Sequence, residues 1–442
     1  MRVLWLTTTP GLGVRHLGAS FGVGGGWIAS LERVIKEAGN AEARPIHLDL
    51  AFPWEVPKVQ RIPDGDHNYY AYPRYPQGSR LRRMAFDLSC RLVPEGEVRH
   101  LTEIVERSRP DLIHVWGTEF QFGRVAQHTD RPILIEIQGI RTPYTEIYCS
   151  AFSRWEMLRY GSARRLLQGR SLLQNFYRYR RSARREREIL RTARHVNGRT
   201  LWDRHVTRAL APAARYHHCD RVLRPPFYRD PAKSKSAAAP SEEGVLRLVS
   251  TLRGNAYKGV EVLARCAELL QELIPQGFVW TLVGIRSGEE IHRMVERKWK
   301  LSFDRLGIRL TGRQDAEAVA EHLAQSDLYV LPSRIENSAN GLAEAMITGL
   351  PIVATASGGT PSMLADGREG LLIPAGDPWA MAGAIGRLAE DRRLRQELGR
   401  QARRTALVRH DPAAIASKLR NIYADILSDH RAGNSSRQEA AR

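Results

Sequence analysis

The sequence predicts an α/β protein of two doubly wound halves facing a cleft. Three observations carry this. Strand-like apolar runs alternate with helical patterns along most of the chain. A small-residue stretch at 234–244 (SKSAAAPSEEG) interrupts that alternation, which then restarts. The length, 442 residues, suits two ordinary α/β domains and is too great for one small core. The expected division is an N-terminal domain at 1–225, a linker at 226–244 and a second domain at 245–410. Helix continues through 411–428, and a polar tail at 429–442 reads as disordered.

Composition narrows the class. No apolar run approaches the roughly 18 residues of a membrane span. Met1-Arg2 followed by Val3-Leu4-Trp5-Leu6 is too short for a signal peptide and reads as a first strand. Cys90, Cys149, Cys219 and Cys266 have no metal-like spacing, so a reduced, cytoplasmic setting is the default. The net charge of +19 is mostly arginine and admits nucleic acid, an anionic membrane or an anionic substrate as partner.

In the first half, the strand at 3–7 leads to Gly22-Val23-Gly24-Gly25-Gly26-Trp27 and a helix carrying Ile28, Leu31, Val34 and Ile35. A glycine loop between strand and helix lets backbone N–H groups approach a phosphate, although the spacing is not the dinucleotide one. A second strand fits 45–50, and 52–80, rich in Pro, Tyr and Gly, reads as irregular. The strand at 110–119 contains His114, either a core histidine or a group at the edge where open sheets place ligands. The next strand, 133–137, ends at Gln138-Gly139. Residues 154–194 hold thirteen arginines against three glutamates, interleaved with Trp155, Leu158, Leu172, Phe176 and Tyr179 at roughly helical spacing. That pattern suits a membrane-surface helix, a single-stranded nucleic acid site, or a solvated helix pair packed on its domain. A last strand at 196–198 runs through Arg199 into a helix. His217, His218 and Cys219 are adjacent, point alternately, and lack a second ligand pair, so no metal is expected.

In the second half, a strand at 246–250 is followed by Arg253 and Lys258-Gly259. Two cations at the C-terminal edge of a strand either neutralise an anionic group there or belong to a surface loop. Strands at 278–284 and 308–311 follow, the latter ending at Gly312-Arg313-Gln314. Residues 328–331 form a buried strand closed by Pro332, followed by a polar loop, a helix at 342–348 stopped by Gly349, and a strand at 352–355. The helix start near Asn340-Gly341 offers unpaired N–H groups to a phosphate. Glu336 and Glu344, eight apart, either accept hydrogen bonds from sugar hydroxyls beside it or are a turn residue and a helix residue favouring the dipole.

Glu336 and Glu344, preceded by Leu331-Pro332-Ser333 and followed by Ala345-Met346, Gly349-Leu350-Pro351 and Gly358-Gly359, resemble the signature of retaining glycosyltransferases of the GT-B fold. The resemblance is to the family 4 (group 1) nucleotide-sugar enzymes. It covers about 245–385 firmly and the N-terminal half loosely. Many members begin the motif with Glu-Gly-Phe-Gly, where this chain has Glu336-Asn337-Ser338-Ala339. The resemblance implies two Rossmann-like domains facing an interdomain cleft, with the final helix crossing back to the first. It also implies transfer of a sugar from a nucleotide diphosphate to an acceptor hydroxyl with retained configuration, in polysaccharide or glycolipid synthesis.

Carried over residue by residue, the resemblance makes Arg253, Lys258 and Glu336 catalytic. Gly24, Gly25, Gly26, Gly312, Arg313, Gln314, Asn340, Gly341 and Glu344 become donor-binding. His114, Gln138 and Arg199 lie on the acceptor side. It implies no metal and no cofactor beyond the nucleotide sugar as co-substrate. The implied partners are that donor and a saccharide or lipid-linked acceptor. Peripheral membrane contact through 154–194 would place the protein at the inner face of the cell membrane. The alternative is a non-enzymatic protein that binds nucleic acid or a membrane surface through 154–194, leaving the Glu and Lys positions without a role.

Overall fold

The structure, a computed structural model, describes residues 1–18, 26–39, 45–76, 78–90, 92, 96–229 and 244–440. Gly24, Gly25 and most of the 226–244 stretch lie outside the described residues. The strands among these residues form two sheets. The first contains β1 (Arg2–Leu6), β2 (His47–Trp54), β3 (Gln60–Asp64), β4 (His67–Pro73), β5 (Leu112–Trp116), β6 (Ile133–Glu136), β7 (His195–Gly198) and β8 (Arg215–His218). Its order is β3-β4-β2-β1-β5-β6-β7-β8, parallel except where β3 meets β4. The second contains β9 (Leu246–Thr251), β10 (Phe278–Val283), β11 (Ile308–Gly312), β12 (Leu328–Leu331), β13 (Ile352–Thr355) and β14 (Gly370–Ile373), in the order β11-β10-β9-β12-β13-β14.

Helices cover both faces of each sheet, which is why the central strands are continuous apolar runs. All four residues of β12 are buried, as are all five of β5. In each sheet the winding reverses beside the first strand, between β1 and β5 and between β9 and β12. The crevice at the C-terminal ends of such a pair is where open α/β sheets bind ligands.

The two halves share more than a linker. Tyr144, Tyr148, Phe152, Leu172 and Phe176 of the first half lie in one apolar cluster with the core of the second. Glu290 of the second half accepts from the backbone N–H groups of Ser162 (3.2 Å) and Leu172 (2.9 Å), capping helix Leu172–Thr192 from across the boundary. Ile415, Leu419, Tyr423 and Ile426 of helix Pro412–Ala440 pack into the N-terminal core, and Trp5 Nε1 donates to the Tyr423 hydroxyl at 3.0 Å.

Two sequence expectations need correction, and a third takes one of its alternatives. Residues 52–80 are not irregular: β3 and β4 form an antiparallel pair around Asp64-Gly65-Asp66, a turn sequence suited to a hairpin. Residues 429–440 of the expected disordered tail continue the last helix, because a helix already nucleated by packing gains one hydrogen bond for each residue added. The Arg-rich stretch is broken into helices Arg154–Tyr160, Ala163–Leu167 and Leu172–Thr192, and Leu172, Phe176, Ile189 and Leu190 of the longest are buried. That helix is a packed element of the domain. Among the described residues no helix is long and apolar enough to cross a membrane.

Candidate active site

The ends of β9 and β12 bring Lys258 and Glu336 together. Lys258 sits in the short turn after β9, and Gly259 follows at φ 70°, a left-handed conformation open to glycine. A Cβ at Gly259 would collide with the Pro332 carbonyl at the end of β12, so glycine is what lets the two loops touch. Lys258 Nζ then donates to Glu336 Oε1, which also accepts from Ser333 Oγ at 2.8 Å. On the far side of the Glu336 loop, Gly358 and Gly359 leave room for the carbonyls of Glu336 and Asn337.

Eight residues beyond Glu336, Glu344 lies buried in helix Asn340–Ile347. The start of this helix has no side-chain cap, and Gly341 fits against Thr251 and Tyr329 where a Cβ would clash. Its first N–H groups therefore open on the crevice with the positive end of the helix dipole behind them. Burial pushes the Glu344 carboxyl up, and Arg224 opposes the shift by donating through Nε (3.0 Å) and Nη2 (2.8 Å) to Oε1.

These groups line a cleft of about 470 Å³ between the halves. Arg253, Arg313, Gln314, Asn340, Gly341, Gly26 and Gln138 line it as well. Gly312 does not; it shapes the turn before Arg313 at φ 70°. Six basic side chains (Arg141, Arg221, Arg224, Arg253, Lys258, Arg313) face three carboxylates (Glu119, Glu336, Glu344), so the cleft suits an anion.

Two of the expected acceptor-side residues do not reach it. His114 is fully buried in mid-strand, stacked on Trp116 at 4.1 Å, with Nδ1 2.7 Å from the Tyr423 hydroxyl. Burial holds its pKa below the usual value, in keeping with a core histidine. Arg199 turns back into the sheet, donating from Nη1 to Glu136 Oε1 at 2.8 Å and from Nη2 to the Gln138 carbonyl at 3.1 Å. Burial alone would raise the Glu136 carboxyl; nearby His114 and Arg199 bring it below the ordinary value. Of the three, Gln138 alone lines the cleft.

Sequence reasoning missed Glu119, Arg141, Tyr179, Arg221, Arg224 and Tyr257, all of which line it. The first two are set by one buried carboxylate in the Arg-rich helix. Glu186 accepts from Thr118 Oγ1 (2.6 Å) and from the N–H groups of Arg141 (2.9 Å) and Thr142 (2.8 Å). Burial raises the Glu186 carboxyl and these donors oppose it. The Glu119 carbonyl is held by Ser182 Oγ at 3.1 Å, and the Arg141 guanidinium stacks 4.0 Å from the Tyr179 ring. Tyr179 and Tyr257 meet hydroxyl to hydroxyl at 3.0 Å across the two halves. The available signal was position: Glu119 is three residues past β5, and Arg221 and Arg224 lie where the first domain ends.

Residues 244–391 match the family described as Glycosyl transferases group 1. An N-acetyl-alpha-D-glucosaminyl L-malate synthase from Bacillus anthracis is 36% identical over 122 residues, 28% of this chain and 32% of that protein. The match thus spans about a third of that relative's length. A sucrose-phosphate synthase structure from Thermosynechococcus elongatus superposes with a TM-score of 0.70 at 18% identity, covering 97% of this chain and 99% of that one. The Anabaena HepE structure in complex with UDP and glucose gives 0.62 at 16% identity, covering 96% and 99%. The chain therefore carries a Glycosyl transferases group 1 domain at residues 244–391, within the two-domain GT-B fold.

Proposed function

We propose that the chain is a retaining glycosyltransferase that moves a sugar from a nucleotide diphosphate to an acceptor hydroxyl in polysaccharide or glycolipid synthesis. The observation that carries this is the pairing of Lys258 with Glu336 at the reversal of the second sheet, eight residues before a buried Glu344 on an uncapped helix start. In this reading the helix start, Lys258 and Arg253 hold the diphosphate and stabilise its charge as the bond to the anomeric carbon breaks. Glu336 takes hydroxyls of the transferred sugar and Glu344 those of the ribose. Arg313 and Gln314 border the base. The acceptor oxygen bonds to the same face of the anomeric carbon, and its proton leaves on the departing phosphate. Gln138, Glu119 and Arg141 border the acceptor. UDP and glucose in the Anabaena relative support a donor of this kind.

The test is a panel of nucleotide sugars measured for binding and slow hydrolysis, with chelator present, on wild type and Glu344→Ala. One donor bound by wild type and lost in the variant is expected. A folded wild type that binds none of them would sink the reading.

Peripheral contact with an anionic membrane is a second reading, favoured by one patch. Helix Arg80–Leu88 exposes Leu81 (73%), Met84 and Leu88 on one side, with Arg82 and Arg83 beside them. Arg170 pairs with Asp87 at 3.1 Å, and Arg178 Nη2 donates to the Asp87 carbonyl at 2.7 Å, fixing this helix to the Arg-rich segment. Leu167 and Trp155 of that segment are also exposed. Apolar side chains ringed by arginine suit anionic lipid. Wild type should sediment with phosphatidylglycerol vesicles, and Leu81→Asp/Leu167→Asp should stay in the supernatant. Equal sedimentation of both would exclude the patch.

A further inference from the structure

Arg221 is a buried charge in the cleft with two unpartnered donors. It stands on the segment that leaves β8 and crosses between the domains, and its residue is only 8% exposed. Its guanidinium lies 3.8 Å from the centre of the Trp27 ring, immediately after Gly26. Nη1 donates to Asn340 Oδ1 at 3.0 Å, the first residue of the uncapped helix. Nε and Nη2 are buried with no hydrogen-bond partner, and among the described residues no carboxylate forms an ion pair with this side chain. Three residues on, Arg224 makes the contrast, because its guanidinium is matched by Glu344.

A buried guanidinium with two idle donors is costly unless an anion completes it. Stacking on Trp27 and the bond to Asn340 fix its plane, so the idle edge is presented in one orientation, a fork suited to two oxygens. The first N–H groups of the helix open on the same space. We infer that Arg221 is a diphosphate-binding residue, contributed by the interdomain crossover and completing from the N-terminal side the cradle that Arg253, Lys258 and the helix start form from the other. This rests on the proposed transferase function and adds a residue that ties donor binding to the relative position of the two domains. Burial and the nearby Arg199 charge make Arg221 less basic than usual, and a bound diphosphate would reverse that.

The experiment titrates UDP, GDP, ADP and dTDP, each beside its parent nucleoside, into wild type, Arg221→Gln and Arg221→Lys by calorimetry. The readout is the ratio of diphosphate to nucleoside affinity, which a merely structural role would leave in place. For the base that wild type prefers, this ratio should fall about tenfold in Arg221→Gln, the scale of one charge-assisted hydrogen bond. In Arg221→Lys it should fall by about threefold, since a point charge replaces the fork. If the glutamine variant does not fold, the lysine variant decides alone. An unchanged ratio, or an equal loss of nucleoside and diphosphate affinity, overturns the assignment of Arg221 and leaves the transferase reading intact. A folded wild type that binds none of the diphosphates overturns both.

Discussion

The two sides of the cleft are built differently. On the proposed donor side, Lys258, Glu336 and Glu344 come from segments directly after β9 and β12, at short fixed distances from strand ends. Their placement follows from the winding of the sheet itself. On the proposed acceptor side, Glu119, Arg141 and Tyr179 come from a loop, the first residue of a short helix and the middle of a long one. What gathers them is tertiary: Glu186, buried in the Arg-rich helix, ties Thr118 to Arg141 and Thr142. One side is specified by local geometry, the other by a helix packed across it.

The largest effect that would break this contrast lies in the Lys258–Glu336 pair. Lys258→Ala should lower transfer by about a hundredfold or more, the scale of losing one preorganised donor to a developing anion. Glu336→Gln keeps the Ser333 bond and should also be severely impaired. Both variants should lose donor hydrolysis together with transfer, because in the proposed reading each touches the donor whatever receives the sugar. Steady-state assays of hydrolysis and transfer on the same samples check this. Wild-type turnover in Lys258→Ala would remove that residue from the reaction.

The difference between the sides also explains what was legible in the sequence. The buried strand at 328–331 and the short offset to Glu336 are local, so the apolar run and the turn residues located this loop, while the roles proposed for Glu336 and Glu344 came from the resemblance. His114 and Arg199 came to the acceptor side through the resemblance; neither lines the cleft, and His114 takes the core alternative. His114 sits in the middle of β5 with its ring against the last helix, a partner 309 residues away that no local pattern announces. Arg199 does follow a strand end, but a residue there can turn outward to the cleft or back into the sheet. Glu136, on the neighbouring strand, draws it back. Glu119 and Arg141 were invisible because neither strand nor helix periodicity marks a loop residue whose position depends on Glu186.

The smaller prediction tests the acceptor side itself. The Glu119 carboxylate has a buried, unpartnered Oε2 and packs against Gly117 and Gly139 beside the cleft. Its backbone carbonyl is fixed by Ser182 and Arg185 on the long helix, so the loop that carries it is held by packing. An oxygen so placed suits a hydroxyl donor. Glu119→Gln keeps the shape and one acceptor oxygen while removing the charge. The expected result is an acceptor KM raised about tenfold, the worth of a hydrogen bond to a charged group, with donor hydrolysis unchanged within about twofold. Hydrolysis that falls along with transfer would put Glu119 on the donor, and the division of the cleft into a locally specified side and a packed side would fail there. Unchanged kinetics with every acceptor tested would instead leave Arg141 as the charged acceptor-side contact, and the corresponding loss should then appear in Arg141→Lys.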